Sequence, residues 1–553
     1  MTTVAELIRA QADNSGTALL YEDQRWSYRE YVQACAQRAA WLLEQRAVGR
    51  SHAHSFQVGV LLDNVPEYLM WLGACALSGT TLVGLNPTRH GADLERDIHH
   101  TECSHVISND DYWAELQQLE LVSTQAWNIE SMRYRQALKP YLDAALPEVE
   151  VMPGDTFCLI FTSGTTGAPK ACLCSHSRIT ANVQLMIGHQ ALCPDDISYV
   201  AMPLFHSNAI MSCVLPSLGA GAAMVLRRKF SASGFLPDVR RYGVTYFSYV
   251  GKPLAYILAT PEQPDDADNS LRRGFGNEAA YVDMERFEAR FDCTLMDAYG
   301  STEGGVAMVR DRDSPPGSLG LAMSEGIQVM NAESLLECPR AEFDDRGMLA
   351  NGEEAIGELV NTAGLAEFEG YWKHGEADAK RTRGGIVWMG DRAYRDDKGY
   401  FYFAGRDSDS MRVDGENIAT AQVEQLLTRH PDVVVAAVYP VPDPEVGDRV
   451  MAAIQVQAPG EFDAEKFAEY LSRQEDFSSK WMPMFIRVAT ALPLTHTSKV
   501  IKHLLRREKW NCTDPVWWQS SKSAAWREMT GEDVLAWERL FARRGRAQIL
   551  NLA

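Results

Sequence analysis

The sequence predicts an α/β architecture: a large N-terminal domain of mostly parallel sheets covered by helices, then a smaller α/β unit. Three observations predict it. Short apolar runs alternate with helical patterns through the first 400 residues, the mark of βαβ units. A chain of 553 residues is too long for one hydrophobic core. A separate succession of helix and strand patterns begins after Gly405-Arg406.

The apolar runs at 58–62, 106–108, 157–161, 198–202, 222–226 and 246–249 have the length of buried strands. Residues 68–85 approach the length of a membrane span. Gly73, Ser78, Gly79, Thr80 and Thr81 interrupt that stretch, and Asp63 and Glu67 precede it on what reads as the same helix. The expectation is a core helix ending at Ser78-Gly79, followed by a buried strand over 81–84. Cys172 and Cys174 alternate as on a strand, which favours apolar packing over metal binding. Residues 261–270, rich in Pro, Asp and Asn, read as an exposed loop. Beyond 406 the pattern predicts a helix over 420–429, strands over 433–438 and 450–456, and a helix over 464–472. A polar loop, 493–498, opens a helix over 500–507. The tail from about 511 carries Trp517, Trp518, Trp526 and Trp537, and its helical stretch 533–542 is expected to dock, because exposed tryptophans are a liability.

Composition is that of an ordinary globular chain, 46% hydrophobic and 23% charged. A net charge of −21 argues against nucleic acid as a partner and requires any polyanion site to be locally basic. Eleven cysteines lie scattered without a C-x-x-C pair, and no signal region is evident at Met1, so a cytoplasmic protein with reduced thiols is expected. Membrane contact is expected to be at most peripheral.

Residues 160–170 carry the most chemistry. Four hydroxyls (Thr162, Ser163, Thr165, Thr166) and two glycines (Gly164, Gly167) follow an apolar strand, and Lys170 closes the loop. Glycines let backbone N–H groups approach a phosphate, while hydroxyls donate further bonds or ligate magnesium. Gly164 and Lys170 have the spacing of a P-loop, but Pro169 stands where that motif needs glycine, and Ala171 where it needs a hydroxyl. Further along come Asp297-Ala298-Tyr299-Gly300-Ser301-Thr302-Glu303-Gly304-Gly305, Gly390-Asp391, Gly399-Tyr400, Gly405-Arg406, Gly415-Glu416-Asn417-Ile418 and Thr497-Ser498-Lys499. In this order and spacing the set resembles the adenylate-forming superfamily of acyl-CoA synthetases, adenylation domains and luciferases.

The resemblance implies an ATP-dependent ligase, AMP-forming, that joins a carboxylic acid to CoA through an acyl-adenylate. It implies an N-terminal adenylation domain, 1–405, a hinge, 406–408, and a mobile C-terminal domain with extended tail, 409–553. The hydroxyl loop from Thr162 to Gly167, with Lys170, would cradle the β- and γ-phosphates. Glu303 and Thr165 would hold Mg²⁺, Thr302 would reach the α-phosphate, and Tyr299 would stack on adenine. Asp391 would accept the ribose hydroxyls, and Arg406 would touch the nucleotide near the hinge. Lys499 would bridge carboxylate and α-phosphate, Gly415 would line the thiol channel after domain rotation, and His206 would gate the acyl pocket. ATP, CoA and a small-molecule carboxylic acid are the partners so implied, and a homodimer is compatible with the sequence.

Four positions depart from the family pattern: Ser498 stands for the usual glycine before the lysine, Lys502 for a frequent arginine, Ser408 at the pivot for aspartate or lysine, and Glu278 is unusual in Gly276-Asn277-Glu278. Arg227, Arg228 and Lys229 read equally as a CoA phosphate contact or a solvated face. The stretch from Met411 to Thr420, with Gly415-Glu416-Asn417-Ile418 at its centre, resembles very-long-chain, bile-acid and steroid side-chain CoA ligases more than acetate or aromatic-acid enzymes. A steroid side-chain acid is therefore the expected substrate, with long or very-long-chain fatty acid as the alternative, and small residues at Ser207, Asn208 and Ala209 are expected to leave room for it. A lipid-binding or transport protein with little turnover is the rival from another class; Lys499, Glu303 and Asp391 together speak against it.

Overall fold

The structure is a computed structural model that describes residues 1–48, 56–162, 169–310, 313–345, 347, 349–406, 410–413, 416–445, 448–474, 476–477, 481–495, 499–519 and 525–551, without the side chains of 366, 406, 410, 412–413, 416–419 and 551. Two large sheets form the N-terminal part. The first has six strands among the described residues, in the order Gln125–Asn128, Cys103–Ser108, Gln57–Leu61, Thr81–Gly84, Thr156–Thr162, Lys170–Ser175. All neighbours are parallel except the last pair, a hairpin in which Thr162 faces Lys170. Thr162 and Lys170, which bound the hydroxyl motif in the sequence, are thus partners on two paired strands.

The second sheet has thirteen strands among the described residues. Thr17–Tyr21, Ala223–Leu226, Ile197–Val200, Tyr246–Val250, Arg273–Asn277 and Thr294–Gly300 run parallel. From Ala307–Arg310 onward every added strand is antiparallel, through Ser318–Ala322, Phe401–Arg406, Val387–Arg395, Gly357–Asn361 and Ile327–Met330. Sequence periodicity does not foretell that change of direction, because the direction of a strand is set by its long-range pairing and not by its own pattern.

The apolar stretch at 68–85 is the helix Pro66–Ser78, whose residues from Tyr68 on are all buried, followed by the strand Thr81–Gly84. Proline opens the helix, where its missing N–H costs nothing, and Gly79 closes it at φ +63°. Asp63 lies before the helix rather than on it, and Glu67 pairs with Arg38 at 2.6 Å instead of facing solvent. Residues 261–270 are a loop as expected, but Asp266 is buried in it on Arg290, 2.7 Å away.

The C-terminal unit is a sheet of Val433–Pro442, Asp448–Val456, Phe485–Ala489, Val516–Trp518 and Arg527–Glu528. Helices Thr420–Leu427 and Ala464–Ser472 cover one face, with Val423, Leu427, Phe467 and Leu471 buried against it. On the other face Trp510, Trp518 and Trp537 surround Phe485, with ring centroids 5.1, 6.1 and 5.8 Å away. The tail thus docks, as the tryptophans predict, and also supplies two strands that the sequence reading does not foresee. Its helix runs Gly531–Arg543, with a Thr530–Asp533 capping box.

Candidate functional site

The carboxyl ends of four neighbouring parallel strands converge: Ile197–Val200, Tyr246–Val250, Arg273–Asn277 and Thr294–Gly300. Ligands of open α/β sheets bind at such ends. The segment after the first strand carries His206, whose ring lies 4.4 Å from that of Phe205. Phe205 in turn packs on Gly84, where a Cβ would stand 3.0 Å from its carbonyl oxygen. Ser207 Oγ meets Thr302 Oγ1 at 2.9 Å, and Asn208 Nδ2 donates to Asn277 Oδ1 and to the Tyr249 carbonyl, both at 3.2 Å. Ser207, Asn208 and Ala209 were expected to leave room for a wide ligand. The first two tie the segment around His206 to the turn bearing Thr302 and to the neighbouring strands, and Ala209 is buried in the core. A π-helical segment, Asn208–Val214, follows directly, a form that recurs at functional sites.

Strand Thr294–Gly300 carries Asp297 and Tyr299, and the turn after it carries Thr302 and Glu303, with Gly304 and Gly305 at φ +78° and +88° to close it. Tyr299 Oη donates to Asp391 Oδ2. Asp391, 4% exposed, sits on Val387–Arg395 directly opposite Arg406. An aromatic face and a carboxylate thus meet at one corner, the donor and acceptor types that a nucleoside requires.

Glu303 is held from two sides. Tyr371 Oη donates to Glu303 Oε1 at 3.0 Å and Arg381 Nη2 lies 3.4 Å from the same oxygen. Burial and the Glu303 charge push the Tyr371 phenol further up from its ordinary range, so it remains a donor at neutral pH. Lys170 Nζ stands 5.1 Å above the Tyr371 ring. Arg178 donates to the Thr302 carbonyl and, at 2.9 Å, to that of Leu173, bracing the turn against the hairpin strand. Tyr371, Arg381 and Arg178 are absent from the sequence reading. Gly370-Tyr371 offered a faint turn signal; nothing local marked the two arginines.

Lys499 arrives from the C-terminal unit. Its Nζ lies 2.6 Å from Glu278 Oε1. Glu278 follows Asn277, whose Nδ2 donates to the Ala298 carbonyl, and precedes Ala279, whose N–H donates to Asp297 Oδ2 at 3.2 Å. The loop is therefore stitched to the strand bearing Tyr299, and Lys499 reaches the same convergence. Burial pushes the Asp297 carboxyl up to about 7, offset in part by that N–H and by Arg310. Gln422 Nε2 to Tyr394 Oη, 3.0 Å, and Tyr256 Oη to Gln455 Oε1, 3.5 Å, are further contacts of the C-terminal unit with the rest.

Ser163, Gly164, Thr165, Thr166, Gly167, Ser408, Gly415 and Ser498 lie outside the described residues, as does the side chain of Arg406. Thr162 ends the strand opposite Lys170, its Oγ1 3.5 Å from the Lys170 carbonyl. Arg227 pairs with Asp238 at 3.0 Å, Arg228 with Asp63 and Asp111 at 3.5 and 3.2 Å, and Lys229 with Asp63 at 3.7 Å, so that basic cluster is largely neutralised by its own chain. Lys502 pairs with Glu424 at 2.8 Å and serves the small unit's own packing.

A tyrosine–aspartate corner, a carboxylate braced by Tyr371 and Arg381, and a lysine brought from a separate unit to the Glu278 loop are the side-chain groups that gather around the carboxyl ends of these strands. The chain belongs to the AMP-binding enzyme family: residues 8–372 match that family and residues 422–499 its C-terminal domain. It is 41% identical to the steroid-22-oyl-CoA synthetase of Rhodococcus jostii over 555 residues, covering 100% of this chain and 99% of that one. It is 44% identical to the medium/long-chain-fatty-acid–CoA ligase FadD17 of Mycobacterium marinum over 515 residues, 93% and 98% of the two chains. The fold is that of ATP-bound MatB from Rhodopseudomonas palustris, with a TM-score of 0.78 at 22% identity over 91% and 97% of the chains. The protein is an AMP-forming acid–thiol ligase of the acyl-CoA synthetase class, which uses ATP, CoA and a carboxylic acid. Among the described residues no helix is long and apolar enough to cross a membrane.

Proposed function

We propose that the protein activates a bulky hydrophobic acid, a steroid with a carboxylated side chain, as its CoA thioester. The observation that carries this reading is the 41% identity along the whole chain to a steroid-22-oyl-CoA synthetase. Medium or long-chain fatty acid is the second reading, favoured by the 44% identity to FadD17 over 93% of the chain.

A carboxylate is a poor acyl donor because oxide would have to leave. Its oxygen attacks the α-phosphorus of ATP, pyrophosphate departs, and the acyl-adenylate forms. The CoA thiol then adds to the acyl carbonyl and AMP leaves. In the first step Lys499 would lie between the incoming carboxylate and the α-phosphate, stabilising charge that grows in the transition state. Asp391 would accept the ribose hydroxyls, and Tyr299, which donates to Asp391, would stack on the adenine. Thr302, positioned by Ser207 and Arg178, would donate to the α-phosphate. The residues of the hydroxyl loop with Lys170 would hold the β- and γ-phosphates, and His206 would gate the acyl pocket.

Mg²⁺ would be held by Glu303 and Thr165 and would neutralise phosphate charge. Among the described residues no group of three or more His, Cys, Asp or Glu gathers to bind an ion. Magnesium binds through one or two carboxylates plus phosphates, so this donor set fits a metal that arrives with ATP. For the second step we propose that residues 406–408 act as the hinge between 1–405 and 409–553, Arg406 near the nucleotide and Gly415 turning in to line the thiol channel. A cytoplasmic enzyme suits eleven free cysteines, all but Cys193 and Cys512 buried.

The test is pyrophosphate release with a panel of acids, with and without CoA, scored by kcat/KM. A C24 steroid acid should outcompete C16, C8 and acetate at equal concentration. Preference for C16 would favour the second reading; preference for acetate or an aromatic acid would defeat both.

A further inference from the structure

Glu278 is the residue that the proposed mechanism leaves unused, and three observations bear on it. Its carboxylate makes a 2.6 Å ion pair with Lys499, joining the large unit to the small one. Its backbone lies at φ +66°, a region that disfavours residues with a Cβ. The two residues beside it are pinned, Asn277 to Ala298 and Ala279 to the buried Asp297. A strained glutamate kept between two anchored neighbours has its direction imposed by the surroundings, and that direction is toward Lys499.

We propose that Glu278 is a positioning residue for the first half-reaction. It holds the Lys499 amine over the site before ATP binds and surrenders it to the phosphate and carboxylate when they arrive. This rests on the proposed role of Lys499. The pair suits a hold that must be broken in every turnover. The two side chains are 42% and 53% exposed, so water and salt screen the attraction. A buried pair of the same geometry would resist the rotation that takes Lys499 away. On the lysine side the approach is set by a local clasp: Lys499 N–H donates to Thr495 Oγ1 at 3.1 Å and Thr495 N–H to the Lys499 carbonyl at 2.7 Å. Each partner is thus preset on its own unit, and the ion pair aims the Lys499 amine from one unit to the other.

Glu278→Gln keeps the size and removes the charge. In the ATP-free enzyme, amide hydrogen exchange across residues 493–502 should rise about threefold, the scale of an exposed ion pair. Exchange in Val433–Pro442 and the thermal midpoint should stay unchanged. Adenylate formation at subsaturating ATP should fall by about threefold, while thioester formation from supplied acyl-adenylate should not fall. Glu278→Asp should recover part of both effects, and it serves as the test if the glutamine variant folds poorly. In the wild type, raising NaCl to 0.5 M should reproduce the exchange change and add nothing in the glutamine variant. Unchanged exchange over 493–502, or equal loss in both half-reactions with no recovery by aspartate, would overturn the proposal. Normal adenylation by Lys499→Ala would overturn the role of that lysine instead, so the two failures are distinguishable.

Discussion

The Tyr299–Asp391 corner and the lysine contact are built in opposite ways. Asp391 is 4% exposed and joined to Tyr299, and Glu303 is braced by Tyr371 and Arg381 with only 11% of its side chain in contact with solvent. Lys499 and Glu278 are each about half exposed and meet from different structural units. Burial within one unit preorganises groups that serve throughout the reaction, whereas an exposed contact between units is cheap to form and cheap to break. A protein that adenylates and then transfers to a thiol needs both kinds.

The largest effect should come from the exposed side. Lys499→Ala should slow adenylate formation by about 10²–10³-fold, the usual loss of one preorganised electrostatic donor, and leave thioester formation from supplied acyl-adenylate near the wild-type rate. Equal losses in both steps would break the comparison, because the lysine would then serve both stages as the buried groups do.

Asp391→Ala should weaken ATP binding by about 10²-fold, the scale of charged hydrogen bonds to two hydroxyls, as read by calorimetric titration. Unchanged affinity would mean that the buried corner is not the ribose site. Tyr371→Phe removes one donor from Glu303 and should raise the magnesium concentration for half-maximal activity by about threefold to tenfold. No change would show that Arg381 alone fixes the carboxylate.

The last effect is on stability rather than on activity. The Asp297 carboxyl, pushed up to about 7 by burial, binds its proton more tightly folded than unfolded. Its contribution is full below about pH 4 and is lost as pH rises to about 7, because the unfolded state deprotonates first. Asp297→Asn removes that loss while keeping an acceptor for the Ala279 N–H. Relative to wild type it should gain about 2–3 kcal/mol between pH 5 and pH 8, measured by denaturant unfolding. A gap that stays constant with pH would show that this carboxyl titrates in its ordinary range.

Much of the fold was legible because its signals are local. Pro66, the uniform apolar run and Gly79 mark one buried helix, and the β-branched 433–438 mark one strand of the small unit. The antiparallel extension beyond Ala307 was not legible, since strand direction depends on long-range pairing. At the site, Tyr299, Glu303, Asp391 and Lys499 stood out through spacing and resemblance, and the structure brings Tyr299 to Asp391 and Lys499 to the adjoining loop. Their supports did not stand out. Arg178 touches Thr302 across 124 residues, Arg381 reaches Glu303 from a short helix, and Glu278 looked anomalous until its partner across the units was seen. Ser207 and Asn208 read as small and permissive, and their polar atoms also tie the segment after His206 to Thr302 and Asn277, which no local pattern announces.

The central claim, a preset nucleotide grip served by a lysine that comes and goes, is tested most directly by a single turnover with enzyme in excess. Labelled ATP and acid are mixed without CoA, and CoA is added later. The account predicts about one equivalent of pyrophosphate and enzyme-bound acyl-adenylate before CoA, converted to thioester and AMP afterwards. Appearance of ADP and phosphate, or no turnover of label until CoA is present, would contradict it.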